Sequence, residues 1–220
     1  MRRRVNAGSW GLPMDVMKSQ SEIAEHAERV RSLPFLRKKF EPPRPKGQHA
    51  LVPEERITPL VMDLDTWDIC LVTSPAGTGK TALLSQWYSA FSQRQECEVF
   101  WISLDANDAS PLRFTQALVE AFSAYDPRFT EEASSLQDPS DTEALAITLV
   151  NCADVGFADI EYVVVFLDGY ERAASPELDE MIAFFNRYLA DNVHLVVAGT
   201  YIPSALSDLS LIHISEPTRP

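Results

Sequence analysis

The sequence predicts an α/β protein, a parallel sheet covered on both faces by helices, and two observations carry that prediction. Short, near-continuous apolar runs alternate with segments of helical periodicity, which is the pattern of strands buried on both faces. A glycine-rich turn, SPAGTGKT, joins the first apolar run to the first helical segment.

Taken in order, residues 14–32 read as a polar helix whose thin apolar stripe is Ile23, Ala27 and Val30. Residues 38–53 hold Pro42, Pro43, Pro45, Pro53 and Gly47, a composition that is extended and loop-like and marks a boundary. Residues 68–73 (DICLVT) form a buried strand and 81–91 a helix. Residues 98–104 (EVFWISL) are strand-like, and a helix over 111–125 follows with Asp108 or Ser110 as its N-cap. The polar stretch 126–140 reads as a loop, 141–153 as a helix, and YVVVFL (162–167) as the strongest strand. A helix over 176–189 capped by Ser175 and a fourth strand, HLVVA (194–198), complete the pattern. The expected units are an N-terminal extension (1–38), a lead-in (39–67), the core domain (68–208) and a tail (209–220).

Composition narrows the function classes. The chain has 220 residues, 45% of them hydrophobic, enough for one α/β core plus an extension. A net charge of −13 repels phosphate backbones, so this stretch is a poor binder of nucleic acid by itself. Cys70, Cys97 and Cys152 are far apart and form no CxxC, and the four histidines show no metal-ligand spacing. Cys70 reads as core. Arg2, Arg3 and Arg4 precede no apolar signal region, no run is long enough to span a bilayer, and Met14 or Met17 could be the start. A reducing, cytoplasmic setting fits.

The glycine-rich turn matches G-x-x-x-x-G-K-[ST], the phosphate loop, at Gly79, Lys80 and Thr81, with Ser74 at the first glycine position. Gly77 and Gly79 can take backbone angles closed to other residues. The N–H groups of Ala76, Gly77, Thr78 and Gly79 can then face a phosphate, aided by the following helix N-terminus. Lys80 is placed to reach the β- and γ-phosphates, and the Thr81 hydroxyl to bind Mg²⁺. Asp168, ending YVVVFLD, is the candidate second metal ligand. The fold these elements predict is the P-loop NTPase three-layer α/β/α parallel sheet, with the fourth strand beside the phosphate-loop strand. The cofactors expected are a nucleoside triphosphate and Mg²⁺; the residues alone do not choose ATP over GTP. Hydrolysis also needs a group that orients water. Gly169 stands where many such ATPases carry a second carboxylate, Glu171 lies two residues on, and Thr200 is the candidate sensor of the γ-phosphate. No catalytic residue is assigned, and the expected activity is weak ATPase at most.

The loop, with LVT before it and ALLSQW after it, resembles the MalT-like, LuxR-family ATP-dependent transcriptional regulators of the STAND group. KFEPPRPKGQHALVPEERI, VFWISLDANDASPLRFTQALVEAF, VVVFLDGYE and HLVVAGTYIPSAL resemble further family segments in the same order. The resemblance covers roughly residues 39–206 and implies ATP as ligand, a self-associating switch, an inducer, and a C-terminal helix-turn-helix beyond this sequence that reads DNA. Gly169 replaces the family's second Asp, and Gly199–Thr200 replaces its usual Ser-Arg. Two other readings stay open: a stand-alone P-loop ATPase or kinase, and the nucleotide module of a different STAND signalling protein.

The ending LSLIHISEPTRP back-translates over residues 209–219 to a string that matches a transposon-based sequencing adapter. The natural protein is therefore expected to continue past about Asp208, with the fifth strand of the sheet absent. The phosphate-loop strand would then be an uncovered edge that invites aggregation, and the fragment would fold poorly alone.

Overall fold

The computed structural model describes residues 35–43, 63–136, 138, 140–201 and the backbone of 211–215. The helix expected over 14–32, and the part of the lead-in from 44 to 62, lie outside the described residues.

The strands are β1 (Ile69–Thr73), β2 (Cys97–Ser103), β3 (Tyr162–Asp168), β4 (Val193–Gly199) and β5 (Leu211–Ser215). The helices are α1 (Lys80–Phe91), α2 (Pro111–Ser123), α3 (Arg128–Ser135), α4 (Thr142–Gly156) and α5 (Pro176–Tyr188). The sheet order is β2-β3-β4-β1-β5, every pair parallel. As expected, the fourth strand lies beside the first, with Ile69 opposite Leu195 and Thr73 opposite Gly199.

Successive strand residues serve opposite faces. Ile69, Leu71, Val163, Val165, Leu167, Leu195 and Val197 join one core, covered by α2, α4 and α5. Cys70, Val72, Val164, Phe166, Val196 and Ala198 join the other, covered by α1 through Leu83, Leu84, Trp87 and Phe91. This is the three-layer α/β/α arrangement that the apolar runs predict. Local signals fix the helix starts. Pro111 and Pro176 open α2 and α5, and Ser175 Oγ accepts from Leu178 N at 3.0 Å. Asp141 Oδ1 accepts from Ala144 N at 3.0 Å.

Three expectations are corrected. Residues 126–140 are not wholly loop: α3 lies within them, and its one buried residue is Phe129, 2% exposed. Ser110 occupies the N-cap position of α2 but its side chain makes no capping bond, and Asp108 instead closes a capping box with Asp105 one turn earlier. The sheet also does not stop before a fifth strand. Leu211–Ser215 pairs with β1 from Ile69↔Leu211 to Thr73↔Ser215, so β1 is not an edge. The segment LIHIS is rich in β-favouring Ile, and the outer N–H and C=O groups of β1 need a neighbouring strand.

His194, on β4, is 4% exposed. Its Nδ1 lies 2.7 Å from the Trp67 carbonyl, which assigns the proton to Nδ1. Burial lowers its proton affinity, partly countered by that hydrogen bond. An unfolded chain binds a proton here that the folded chain refuses, so this group's contribution to stability is lost as pH falls below the ordinary imidazole value of about 6.5. We expect urea midpoints that decline through that window in the native protein and a flatter profile in His194→Gln. Equal slopes would remove His194 as the cause.

Candidate phosphate-loop and metal site

β1 delivers the chain to Ser74, whose N–H donates to the Gly199 carbonyl at 3.3 Å. The loop's start is thereby fixed to the end of β4. Ser74 is 6% exposed, and its hydroxyl is hydrogen-bonded to the Thr78 hydroxyl across the loop. Ser74 in the first glycine position therefore ties the loop to itself, a role that the motif alone does not disclose. Thr78 Oγ1 also donates to the Pro75 carbonyl at 2.9 Å.

Gly77 has φ +83° and Gly79 φ +104°, the left-handed region that glycine enters without penalty. A Cβ at either position would meet nothing within 4 Å, so the space over the loop is open. Ala76, Gly77, Thr78 and Gly79 are all exposed there. α1 begins at Lys80 with Gly79 as its N-cap and no side chain occupying the cap. Its first N–H groups and the positive end of its dipole are left for an anion.

Lys80 Nζ donates to the carbonyls of Ser74 at 2.6 Å and Pro75 at 3.1 Å. Thr81 Oγ1 lies 3.0 Å from both Asp168 Oδ1 and Oδ2. A hydroxyl and a carboxylate at that separation can share a hard cation, and Mg²⁺ sites use one or two protein carboxylates with phosphate and water supplying the rest. Asp168 is 4% exposed. Burial raises its carboxyl above the usual range, with the Thr81 hydrogen bond and the charges of Arg172 and Lys80 lowering it and Glu171 raising it. A desolvated carboxylate flanked by a hydroxyl suits a cation better than solvent. The residues thus fit a nucleotide phosphate with Mg²⁺.

The two departures from the family pattern have local structural accounts. Gly169 has φ +83° and starts the single 3-10 turn Tyr170–Arg172; a Cβ there would come within 3.3 Å of Arg172 Cζ. Gly199 faces Tyr170, whose Cβ lies 3.2 Å from where a Cβ would be built. Tyr170 is fully buried, so the two glycines make room for that turn and that ring. Glu171 Oε2 is buried without a hydrogen-bond partner among the described residues, and Thr200 is exposed one residue past β4. Cys70 is core as expected, its thiol pushed up to about 12 by burial.

A cluster that sequence reasoning missed lies at the neighbouring strand ends. Lys39, 8% exposed, donates to Ser103 O at 3.0 Å, Asp105 Oδ2 at 2.9 Å and Asp108 Oδ2 at 2.5 Å. Burial raises Asp108, fully buried, more than Lys39 and the Asp105 N–H lower it. Burial also raises the less enclosed Asp105, but Lys39 and Asn107 bring it below the usual range. Arg113 stacks over the Phe35 ring at 3.6 Å, a second anchor for the same segment. Nothing local in sequence signals pairs separated by 66 and 69 residues.

Fold and loop together define the class: a P-loop NTPase fold. No family model matches the chain. Among curated proteins it is 27% identical over 161 residues to the HTH-type transcriptional regulator MalT of Vibrio campbellii. It is likewise 27% identical over 160 residues to that of Cronobacter sakazakii. Each match covers 73% of this chain and 17% of the relative, so the chain spans about a sixth of their length. The MalT-like resemblance read from the motifs is thereby borne out. Among solved structures, a chain of Drosophila ORC bound to AT-rich DNA and Cdc6 is similar at TM-score 0.47 and 14% identity, over 74% of this chain and 53% of that one. No helix among the described residues is long and apolar enough to cross a membrane.

Proposed function

We infer that this chain is the ATP- and Mg²⁺-binding switch module of a transcriptional regulator. The observation that carries the reading is the Thr81 hydroxyl set 3.0 Å from both oxygens of the buried Asp168 carboxylate, at the end of a glycine loop followed by Lys80. Ala76, Gly77, Thr78 and Gly79 would hold phosphate through their N–H groups, Lys80 would neutralise the β- and γ-phosphates, and Thr81 and Asp168 would hold the metal. Mg²⁺, when bound, would neutralise phosphate charge. Similarity to the MalT regulators supports ATP over GTP and the regulatory setting, with an inducer and self-association acting on the switch. DNA reading is assigned to a region outside this sequence.

The test is binding of a fluorescent ATP analogue with Mg²⁺ to the full chain and to Lys80→Ala. Removing a charge-assisted contact costs about 1.5–3 kcal/mol, roughly ten- to hundredfold in affinity. Equal binding by both proteins would sink the assignment. A stand-alone ATPase or kinase is the lesser reading, because Gly169 carries no carboxylate; sustained phosphate release at steady state would favour it.

A further inference from the structure

β2 is an edge strand among the described residues. Leu104 N donates to Asp168 O at 2.8 Å, and Tyr162 N donates to Glu96 O at 3.0 Å. In a parallel pair the residues that bond one neighbour alternate with those that face away, so the even-numbered residues of β2 turn their backbone toward β3 and the odd-numbered ones outward. The outer ends are closed: Cys97 N donates to Arg94 O at 3.4 Å, and Ser103 O accepts from Lys39. Between them, the Val99 N–H is taken by the Glu98 carboxylate, while the C=O of Val99 and the N–H and C=O of Trp101 have no backbone partner among the described residues.

These groups line a groove of about 550 Å³ bounded by Tyr88 of α1 on one face, Glu120 and Tyr125 on the other, and Glu41 at one end. Glu98 shares the α2 side of the sheet with Phe100 by strand alternation. No cationic side chain among the described residues pairs with Glu98, and burial raises its carboxyl above the usual range. Arg37 is the single basic residue on the lining, against three carboxylates.

We propose that this edge docks an extended peptide segment bearing a basic side chain. The segment adds a short strand to β2 through the Val99 C=O and the N–H and C=O of Trp101, the mode by which open sheet edges take peptides. Its Arg or Lys falls between Glu98 and Glu120, with the aromatic rim of Tyr125 beside it. Edges are usually closed by lysines, bulges or proline, and this stretch carries none of them.

The probe is an acetylated peptide of alternating Val and Arg, with a Val/Gln peptide as control, titrated into the full chain by fluorescence anisotropy. Binding of the Val/Arg peptide that weakens with salt, and at least about tenfold weaker binding of the Val/Gln peptide, is expected. Glu120→Gln, on an exposed helix position, tests the charge without touching the core, and the same loss is expected. The proposal is overturned if the native chain binds neither peptide, if both bind equally, or if Glu120→Gln binds as the native chain does.

Discussion

Replacing Lys39 by methionine is expected to destabilise the fold by about 3–5 kcal/mol, the usual consequence of removing one partner from a buried ion pair. Methionine fills much of the same space, so the effect isolates charge from volume. It leaves Asp105 and the fully buried Asp108 facing each other, and Asp108 Oδ1 already lacks a hydrogen-bond partner among the described residues. In a chain of this size each kcal/mol moves the melting temperature by roughly 2–4 °C, so a drop on the order of 10 °C should appear by calorimetry. Adding Asp105→Asn and Asp108→Asn to Lys39→Met should recover much of it, because neutral amides tolerate each other where carboxylates do not. A loss under about 1 kcal/mol, typical of a solvated surface pair, would show that the cluster does not hold the lead-in to the core.

Ending the chain at Asp208 has the second large effect. Among the described residues, β5 is the only neighbour on the outer side of β1, over five residues in register. Ile69, Cys70 and Leu71 are at most 1% exposed. Without β5 their backbone becomes an open, flat, apolar edge, the surface that pairs with other chains. The shortened protein should elute as aggregate in size-exclusion chromatography with light scattering, where the full chain does not. A monodisperse, cooperatively melting short form would show that β1 needs no strand there.

β1 to β4, α1, α2, α4 and α5 were legible because each is a burial pattern of its own period, and neighbouring residues alone set that pattern. The phosphate loop was legible for a different reason: Gly77, Gly79, Lys80 and Thr81 are dictated by local backbone geometry and chemistry. Asp168 followed from its place at the end of an apolar strand. α3 escaped because RFTEEASS offers one buried residue, Phe129, too little to make a period. The Lys39 cluster escaped because its partners meet only through the fold. β5 escaped because its five residues carry too weak an alternation to compete with the origin suggested by the codons.

The position of β1 also sets an order of events during synthesis. Ile69–Thr73 is made early, yet both strands that flank it lie more than half the chain later. Contacts of such separation close slowly and late. Ser74 is held by the Gly199 carbonyl, so the loop cannot take its shape on a nascent chain until the codons for β4 have been translated. Up to that point β2 and β3 can pair, since they are separated only by α2, α3 and α4. The emerging polypeptide therefore has a two-strand platform first, and the glycine loop takes its shape only after β4 has been made.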